Sequence, residues 1–443
     1  MPTSNCNTPD GAGQCLTHDN DACHDRFSRS PPASAGGKVS QPEFHEKPFI
    51  GLASMMRMVS AGANLADLIN IAAYNPNDAN MLMGMSIIFQ LTENRDMGLE
   101  LQAKALKIRQ LYHQPSASVQ LGIRLLALMR PGDMMDNTPV DFLLEGSDTA
   151  LDLLYVSPDL PFPESLPDHD VLIVALGQSD QNQPLLEKIG ELIKSSPHPV
   201  LNMPDRISLL SRDSVSELLK LTPGVEIPIT ARIDREGLKQ ICRGEKSITT
   251  LLKDGGFPII IRPLDSHAGK GLAKIDSPTG ITDYLEARAE NEFNIARFVD
   301  YRGPDGLYRK CRIVLIDGKP FACHLAISGN WMIHYKNAGM TESAAKRAEE
   351  ANFMANFDRD FARRHKEAFR MIAERMRLDY LVIDCGETPE GKLLIFEADN
   401  LGFIHALDPV DIYPYKQPQM HKVFEAFCAM LKRAKDRGAK VNL

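Results

Sequence analysis

Apolar and polar residues follow three successive patterns along this chain, and the first of them is helical. Between Pro48 and His113 apolar residues recur at helical spacing, which predicts helices over about 79–91 and 97–112. The polar segment Thr92–Asp96 separates the two helices, and a short linker of this kind is typical of an antiparallel helical hairpin. We therefore predict a small helical region over residues 46–118.

The second pattern is a series of short apolar runs, which predict β-strands. The runs lie at 123–129, 151–156, 171–176 and 199–202, and a helix is predicted over 183–194. Apolar strands that alternate with helices are typical of a parallel α/β sheet. No G-x-G-x-x-G follows the first strand, so the usual dinucleotide-binding fingerprint is missing.

The third pattern, from about residue 206 to 436, mixes helices and strands. Helices are predicted at about 344–376 and 419–435. Residues 1–45 differ from the rest because they are rich in Ser, Pro, Gly, Asn and Asp, a composition that predicts a disordered tail. The predicted fold class is α/β and α+β, with the helical region (46–118) and the parallel α/β domain (119–205) preceding a larger third domain.

Composition and charge exclude several classes of protein. The 443 residues are 43% hydrophobic and 24% charged, as expected for an ordinary globular protein of two or three domains. The net charge of −8 is mildly acidic and argues against a nucleic-acid partner. No apolar run reaches the roughly 18 residues that span a membrane, and the N-terminus has no secretory signal. A cytoplasmic location without a membrane partner is expected.

The eight cysteines include no C-x-x-C pair. In a long chain without a secretory signal, buried or free thiols are expected. Cys6, Cys15 and Cys23 lie near His18 and His24, but their spacing fits no usual zinc finger.

Three carboxylates are predicted to share one face of a β-hairpin near the C-terminus. The apolar runs 380–384 and 392–399 flank the turn sequence Thr-Pro-Glu-Gly. If the chain folds back at Glu390–Gly391, Asp384 lies opposite Glu397, and Asp399 points to the same side. Opposed carboxylates repel each other, so a cation is expected between them, and Mg²⁺ suits oxygen ligands. The alternative is a set of solvated charges at the hairpin end.

A second motif combines a strand that ends in a cation with a loop of small residues. Strand 257–262 ends at Arg262, and the loop Ser266–Gly271 follows it. Such a loop lets backbone N–H groups approach phosphate oxygens, and Arg262 and Lys270 add positive charge. It is not a Walker A loop, because Gly271 follows Lys270 where Ser or Thr is required. An ordinary glycine-containing turn is the alternative. Together with the carboxylate hairpin, the loop could hold ATP and Mg²⁺.

In order and spacing these motifs resemble those of the ATP-grasp superfamily, which includes glutathione synthetase and D-alanine–D-alanine ligase. The similar segments are 221–230, 257–263, 266–271, 295–300, 309–320 and 384–399. The resemblance implies an ATP-grasp domain with antiparallel sheets over 206–436, preceded by the α/β domain. Three residues depart from the family pattern. Arg262 stands where Lys is usual, Asp399 where Asn is common, and Arg297 where Glu or Gln is frequent. The helical region also weakly resembles one tetratricopeptide repeat.

The resemblance implies an ATP- and Mg²⁺-dependent (or Mn²⁺-dependent) carboxylate–amine ligase that acts through an acyl phosphate. The implied metal ligands are Asp384, Glu397 and Asp399, and the implied catalytic residues are Lys310 and Arg312. The implied nucleotide contacts are Arg262, Ser266, His267, Ala268, Gly269, Lys270, Gly271, Arg297, Phe298, Val299 and Asp305. Asp300 is a second candidate for the ribose contact.

The acid and the amine are expected to be small molecules or peptides, and a homodimer is possible. Residues 324–341, with Trp331 and His334, and the later His405 are candidates for the substrate edge. A kinase on the same fold, and a catalytically degenerate ATP-grasp protein that docks a partner through residues 48–113, are the alternatives.

Overall fold

A computed structural model describes residues 49–64, 66, 67, 69, 78–118, 122–264, 266, 269–334 and 337–441. The predicted disordered tail, with its Cys6–His24 cluster, lies outside these residues. His267 and Ala268 of the predicted phosphate loop also lie outside them.

The predicted helical hairpin is present, and its second helix is shorter than expected. Helix α1 (Leu52–Ser60) precedes α2 (Ala79–Leu91) and α3 (Arg95–Ile108). The carboxylate of Asp78 caps α2 by accepting hydrogen bonds from the backbone N–H groups of Asn80 and Met81. Residues Leu111–Gln114 form strand β1 rather than the end of α3, because their backbone pairs antiparallel with the edge of the next sheet.

The first sheet is the predicted parallel α/β sheet. It consists of β1 with β2 (Ile123–Met129), β3 (Thr149–Tyr155), β4 (Val171–Val174) and β5 (Val200–Leu201). The strand order is β1-β3-β2-β4-β5, and all neighbours except β1 and β3 are parallel. Helices α4 (Val140–Leu143) and α5 (Gln183–Ile193) lie in the connections. The central strands are almost completely buried, as expected for a sheet covered on both faces.

The second sheet is antiparallel and has an apolar core of its own. It contains β7 (Thr230–Asp234), β8 (Ile259–Pro263), β9 (Ala273–Ile275) and β10 (Glu292–Arg297) in the order β7-β10-β8-β9. Helices α8 (Arg235–Cys242) and α9 (Pro278–Glu286) belong to the same unit. Its core forms around Leu238, Ile259 and Phe293, separate from the main core of the chain.

The third sheet carries the carboxylate hairpin. It contains β6 (Val225–Glu226), β11 (Tyr308–Ile316), β12 (Lys319–Ser328), β13 (Tyr380–Glu387) and β14 (Leu393–Asp399). The order is β12-β11-β13-β14-β6, and only β14 and β6 are parallel. The remaining helices are α6 (Pro204–Ile207), α7 (Arg212–Leu219), α10 (Ala344–Asn356), α11 (Phe361–Arg364), α12 (Lys366–Met376) and α13 (Lys416–Val441).

One apolar core joins the helical hairpin, the first sheet and the third sheet. Met83 of α2, Leu126 of β2, Tyr380 of β13 and Phe427 of α13 all belong to it. The mixed α/β fold class predicted from the sequence is confirmed. None of the helices in the described ranges is both long and apolar enough to cross a membrane.

Asn202 links the first and third sheets. Its side-chain amide donates to the carbonyl of Tyr380 (2.9 Å), and its side-chain oxygen accepts from the N–H groups of Asp379 and Tyr380 (both 3.0 Å). The residue is fully buried and its φ is 52°, a left-handed conformation that Asn tolerates better than most residues.

We predict that Asn202→Ala lowers the free energy of unfolding by about 3 kcal/mol, because three buried polar groups lose their partner. Thermal and urea unfolding measure the effect. Asn330→Ala, at an exposed position, is the control. Equal stability of the two variants would show that Asn202 does not connect the sheets.

Candidate functional site

A cleft of about 920 Å³ is lined by residues of the second and third sheets and reaches the carboxyl edge of the first sheet. The second sheet contributes Arg262 of β8 and the end of β10. The third sheet contributes Lys310, Arg312 and the carboxylates of β13 and β14. The sequence motifs are therefore brought together, although Asp384 lies 122 positions after Arg262 in the chain.

The β13–β14 hairpin pairs Asp384 with Glu397, as the sequence predicts. The register of the strands between the turn and this pair differs from the prediction. Near the turn Cys385 pairs with Ile395, and a β-bulge then inserts Phe396 before Glu397. The bulge restores the predicted pairing, and Val382 lies opposite Asp399. Asp384, Glu397 and Asp399 all line the cleft.

Asp384 is neutralised by two protein cations. Its carboxylate accepts two hydrogen bonds from the Arg312 guanidinium (2.8 and 3.1 Å) and lies 2.8 Å from Nζ of Lys310. Burial by itself would raise the pKa of Asp384, but Arg312 and Lys310 outweigh it and hold that pKa well below its ordinary value. The charge expected between the carboxylates is thus supplied in part by the neighbouring strand β11.

Glu397 and Asp399 differ in their partners. Glu397 forms an ion pair with Arg212, and Arg212 and Arg262 together hold the pKa of Glu397 below its ordinary value against the effect of burial. Asp399 accepts a hydrogen bond from the backbone N–H of Leu401 and makes no ion pair with any described Lys, Arg or His. Burial and the nearby Glu397 raise the pKa of Asp399 to about 7.

The loop after β8 is organised by Arg262 and two glycines. The Arg262 guanidinium donates to the hydroxyl of Ser266 (3.0 Å) and to its backbone carbonyl, and burial lowers the pKa of Arg262 to about 10. Gly269 and Gly271 have φ angles of 73° and 70°, and a Cβ at Gly271 would lie 2.6 Å from a Pro263 carbon. Ser266 and Gly269 line the cleft, whereas the side chain of Lys270 is exposed and outside the cleft lining.

The segment after β10 contributes to the cleft as predicted, with one exception. Arg297, Phe298 and Val299 line the cleft. The Arg297 guanidinium forms ion pairs with Glu226 and Asp254, so its charge is already balanced. Asp305 is the exception.

The predicted ribose contact at Asp305 is not supported by the structure. This residue is exposed, pairs with Arg309 (2.7 Å) four positions later, and does not line the cleft. Asp300 is not a cleft residue either, because it pairs with Arg302 (2.6 Å). Both residues are close to β10 in sequence, but local Asp–Arg pairing holds their side chains at the surface.

The predicted substrate-edge residues also line the cleft. Trp331 packs edge-on against Phe298, with ring centroids 5.7 Å apart. His324 lies opposite Arg312 across β11 and β12, and burial and Arg312 keep its pKa well below the ordinary value. His405 accepts a hydrogen bond at Nδ1 from the N–H of Leu407 (3.1 Å).

Three cleft cations were not predicted from the sequence: Arg232 of β7, which pairs with Asp180 and Asp213, and two residues at helix starts. Arg212 begins α7, immediately after Ser211, whose side chain caps this helix. Lys416 begins α13 and is buried between Glu350 and Asp408 (3.5 and 3.4 Å). Arg212 and Lys416 lie outside the recognised motifs, each at the first turn of a helix, and the sequence gives no signal that these helices face the cleft.

We call Arg212, Arg262, Lys310, Arg312, Asp384, Glu397 and Asp399 the charged centre of the cleft. It contains four cations and three carboxylates, and the raised pKa of Asp399 reduces its negative charge further. The centre is therefore net positive and is suited to an anionic ligand that presents several oxygens.

No family model matches the sequence, and no curated protein matches it either. Among solved structures, the chain is similar to the D-alanine–D-alanine ligase of Coxiella burnetii, with 11% identity and a TM-score of 0.45 over 72% of this chain and 97% of that one. It is similar to the Bacillus anthracis enzyme in complex with ATP, with 13% identity and a TM-score of 0.43 over 71% and 99%.

A RimK domain ATP-grasp protein of Sphaerobacter thermophilus is also similar, with 16% identity and a TM-score of 0.40 over 70% of this chain and 99% of that one. Identities and TM-scores this low describe a likeness of fold and nothing about activity.

We predict that Asp384→Ala lowers the free energy of unfolding by about 3 kcal/mol, because Arg312 and Lys310 lose the carboxylate that balances their charge. Asp305→Ala removes an exposed Asp–Arg pair and is the matched control, with a much smaller expected loss of stability. Chemical unfolding of both variants gives the comparison. A loss at Asp384 no larger than that at Asp305 would contradict the assigned ion-pair network.

Proposed function

We propose that this protein is an ATP- and Mg²⁺-dependent carboxylate–amine ligase of the ATP-grasp type. The observation that carries the proposal is that a glycine-containing loop, four cations and a face of three carboxylates meet in one cleft between the second and third sheets. This combination suits a metal-bound triphosphate better than any other common ligand.

The nucleotide would lie between the second and third sheets. Ile227, Phe298 and Val299 are partly exposed in the cleft and offer apolar surface to a purine ring. Arg262 and Lys310 would bind phosphate oxygens, and Arg212 adds charge beside Glu397. Arg in place of Lys at position 262 is compatible with this role, because a guanidinium stays charged and can donate two parallel hydrogen bonds.

The residues of the charged centre fit a Mg²⁺ ion with few protein ligands. No group of three His, Cys, Asp or Glu among the described residues is arranged to hold a metal. Mg²⁺ in nucleotide sites is commonly held by one or two carboxylates together with phosphate oxygens and water. Glu397 and Asp399 would supply the carboxylates, whereas Asp384 is already bonded to Arg312 and Lys310. The bound ion would neutralise charge on the phosphates.

The proposed reaction has two steps. An oxygen of the substrate carboxylate attacks the γ-phosphorus of ATP, which forms an acyl phosphate and releases ADP. The amine then attacks the acyl carbon, the C–O bond to phosphate breaks, and inorganic phosphate leaves while the nitrogen loses a proton.

Arg312 is suited to stabilise the negative charge that develops on the acyl phosphate and its tetrahedral adduct. Its guanidinium is held by Asp384 and by a hydrogen bond to the carbonyl of Phe403 (3.3 Å). A side chain fixed in this way needs little rearrangement during the reaction. Asp384 is therefore a positioning residue for Arg312 in this proposal.

We predict that Arg262→Ala weakens ATP·Mg²⁺ binding by roughly 10- to 100-fold, the loss expected for charge-assisted hydrogen bonds to phosphate. Isothermal titration gives the affinity. Arg243→Ala removes an arginine at an exposed site outside the cleft and should leave the affinity unchanged. No binding of ATP to the wild-type protein at millimolar concentration would refute the proposal and favour a protein without nucleotide chemistry.

Product analysis distinguishes a ligase from a kinase. We predict that ADP and inorganic phosphate accumulate over many turnovers only when an acid and an amine are both present, because the amine is needed to release phosphate and complete each turnover. Mass spectrometry of paired acids and amines measures the products. ADP formed without free phosphate, together with a stable phosphorylated acceptor, would instead identify a kinase.

A further inference from the structure

One wall of the cleft is formed by a turn that the helical hairpin holds in place. The turn comprises residues 132–136 and follows β2. Gly132 exchanges two hydrogen bonds with the side chain of Gln102 (2.8 and 3.1 Å), and the N–H of Met134 donates to Gln90 (2.9 Å). Asp133 forms an ion pair with Arg95 (2.7 Å). Residues of α2 and α3 thus fix the turn at three successive positions.

The turn presents methionines to the cleft. Met134 and Met135 line the cleft together with Met56 of α1 and Leu91 at the end of α2, and we call these four residues the methionine wall. Met135 is 46% exposed. Among the described cleft residues contributed by the helical region and the first sheet, no side chain is charged, and the polar one is Gln178.

The loop 400–405 lies between the charged centre and the first sheet with its helix α4. Its Phe403 carbonyl accepts a hydrogen bond from Arg312, and the Phe403 ring packs against Phe142 of α4, with centroids 4.8 Å apart. Leu401 lies against Gly177, where a Cβ would be 2.3 Å from a Leu401 methyl carbon. Arg312 and the edge of the first sheet are therefore on either side of one short loop.

We propose that the methionine wall binds the apolar body of the acid substrate, whose carboxylate lies at Arg312. The inference rests on the proposed ligase function and names its substrate class, a carboxylic acid with an aliphatic or aromatic body. A wall without charge favours an apolar body over a body that carries a second charged group. Unbranched, polarisable methionine side chains adapt to apolar ligands of different shape.

The helical region has a defined role under this proposal. Its apolar face is buried in the main core through Met83 and Ile88, and so that face is not free to dock a partner. The hairpin instead positions the 132–136 turn and contributes Met56 and Leu91 to the cleft directly.

The test is a calorimetric titration of the full chain with acetate, octanoate and glutamate. Each buried CH₂ contributes about 0.8 kcal/mol, a factor of about 4 in affinity. Octanoate should therefore bind at least 100-fold more tightly than acetate, and glutamate no more tightly than acetate. Octanoate binding that is no tighter than that of acetate or glutamate would overturn the proposal.

Two substitutions locate the site. Met135→Glu should weaken octanoate binding at least tenfold through a charge at an exposed position, and Met135→Ala should weaken it less. Met97→Glu is the matched control, because Met97 is 49% exposed on α3 but does not line the cleft. Unchanged octanoate affinity in Met135→Glu would refute the site.

ATP·Mg²⁺ titration of the same samples separates the two proposals. All three variants should bind ATP·Mg²⁺ like the wild type, because the methionine wall does not belong to the charged centre. If neither the wild type nor any variant bound ATP·Mg²⁺, the proposed ligase function would be refuted. Normal ATP·Mg²⁺ binding without a preference for octanoate would refute only the proposed substrate class.

Discussion

The organisation of the cleft depends on keeping three carboxylates side by side on β13 and β14. Carboxylates so placed repel each other, and burial increases the cost of their charge. The fold offsets this cost with cations from other elements: Lys310 and Arg312 from β11, Arg212 from α7 and Arg262 from β8. Because these elements belong to two sheets and a helix, the charged centre exists only when the second and third sheets face each other. Folding and ligand recognition therefore share one set of charges.

The main core explains why the chain needs its helical hairpin and first sheet. Both pack into the same apolar core as the third sheet, and Asn202 connects the sheets through buried hydrogen bonds. The second sheet has a separate core of its own. The region that carries Arg262 and the glycine-containing loop is thus built as a distinct unit, whereas the methionine wall is continuous with the bulk of the protein.

Local patterns in the sequence were sufficient for much of the fold, and long-range contacts account for the errors. The bounds of β2 follow directly from its apolar run, and α5 differs by one residue from its prediction. The first two residues of β1 were predicted as the end of a helix, because the pairing of β1 with β3 is not encoded locally. The predicted helical stretch 344–376 is divided into three helices around a cluster of phenylalanines. Arg212 was missed because nothing near it in the sequence indicates that its partner is Glu397.

The Asp384–Glu397 pairing was predicted from a two-residue turn, but the hairpin reaches it in another way. The chain reverses over three residues, and the extra residue Phe396 in β14 compensates for the difference. If the register near the turn continued along β14 without a bulge, Asp384 would face Phe396, and Glu397 and Asp399 would point to the other side of the sheet. The bulge therefore determines that Glu397 and Asp399 point to the same side of the sheet as Asp384. The length of the turn at the hairpin tip therefore does not by itself decide which side chains face the cleft, whereas the position of the bulge does.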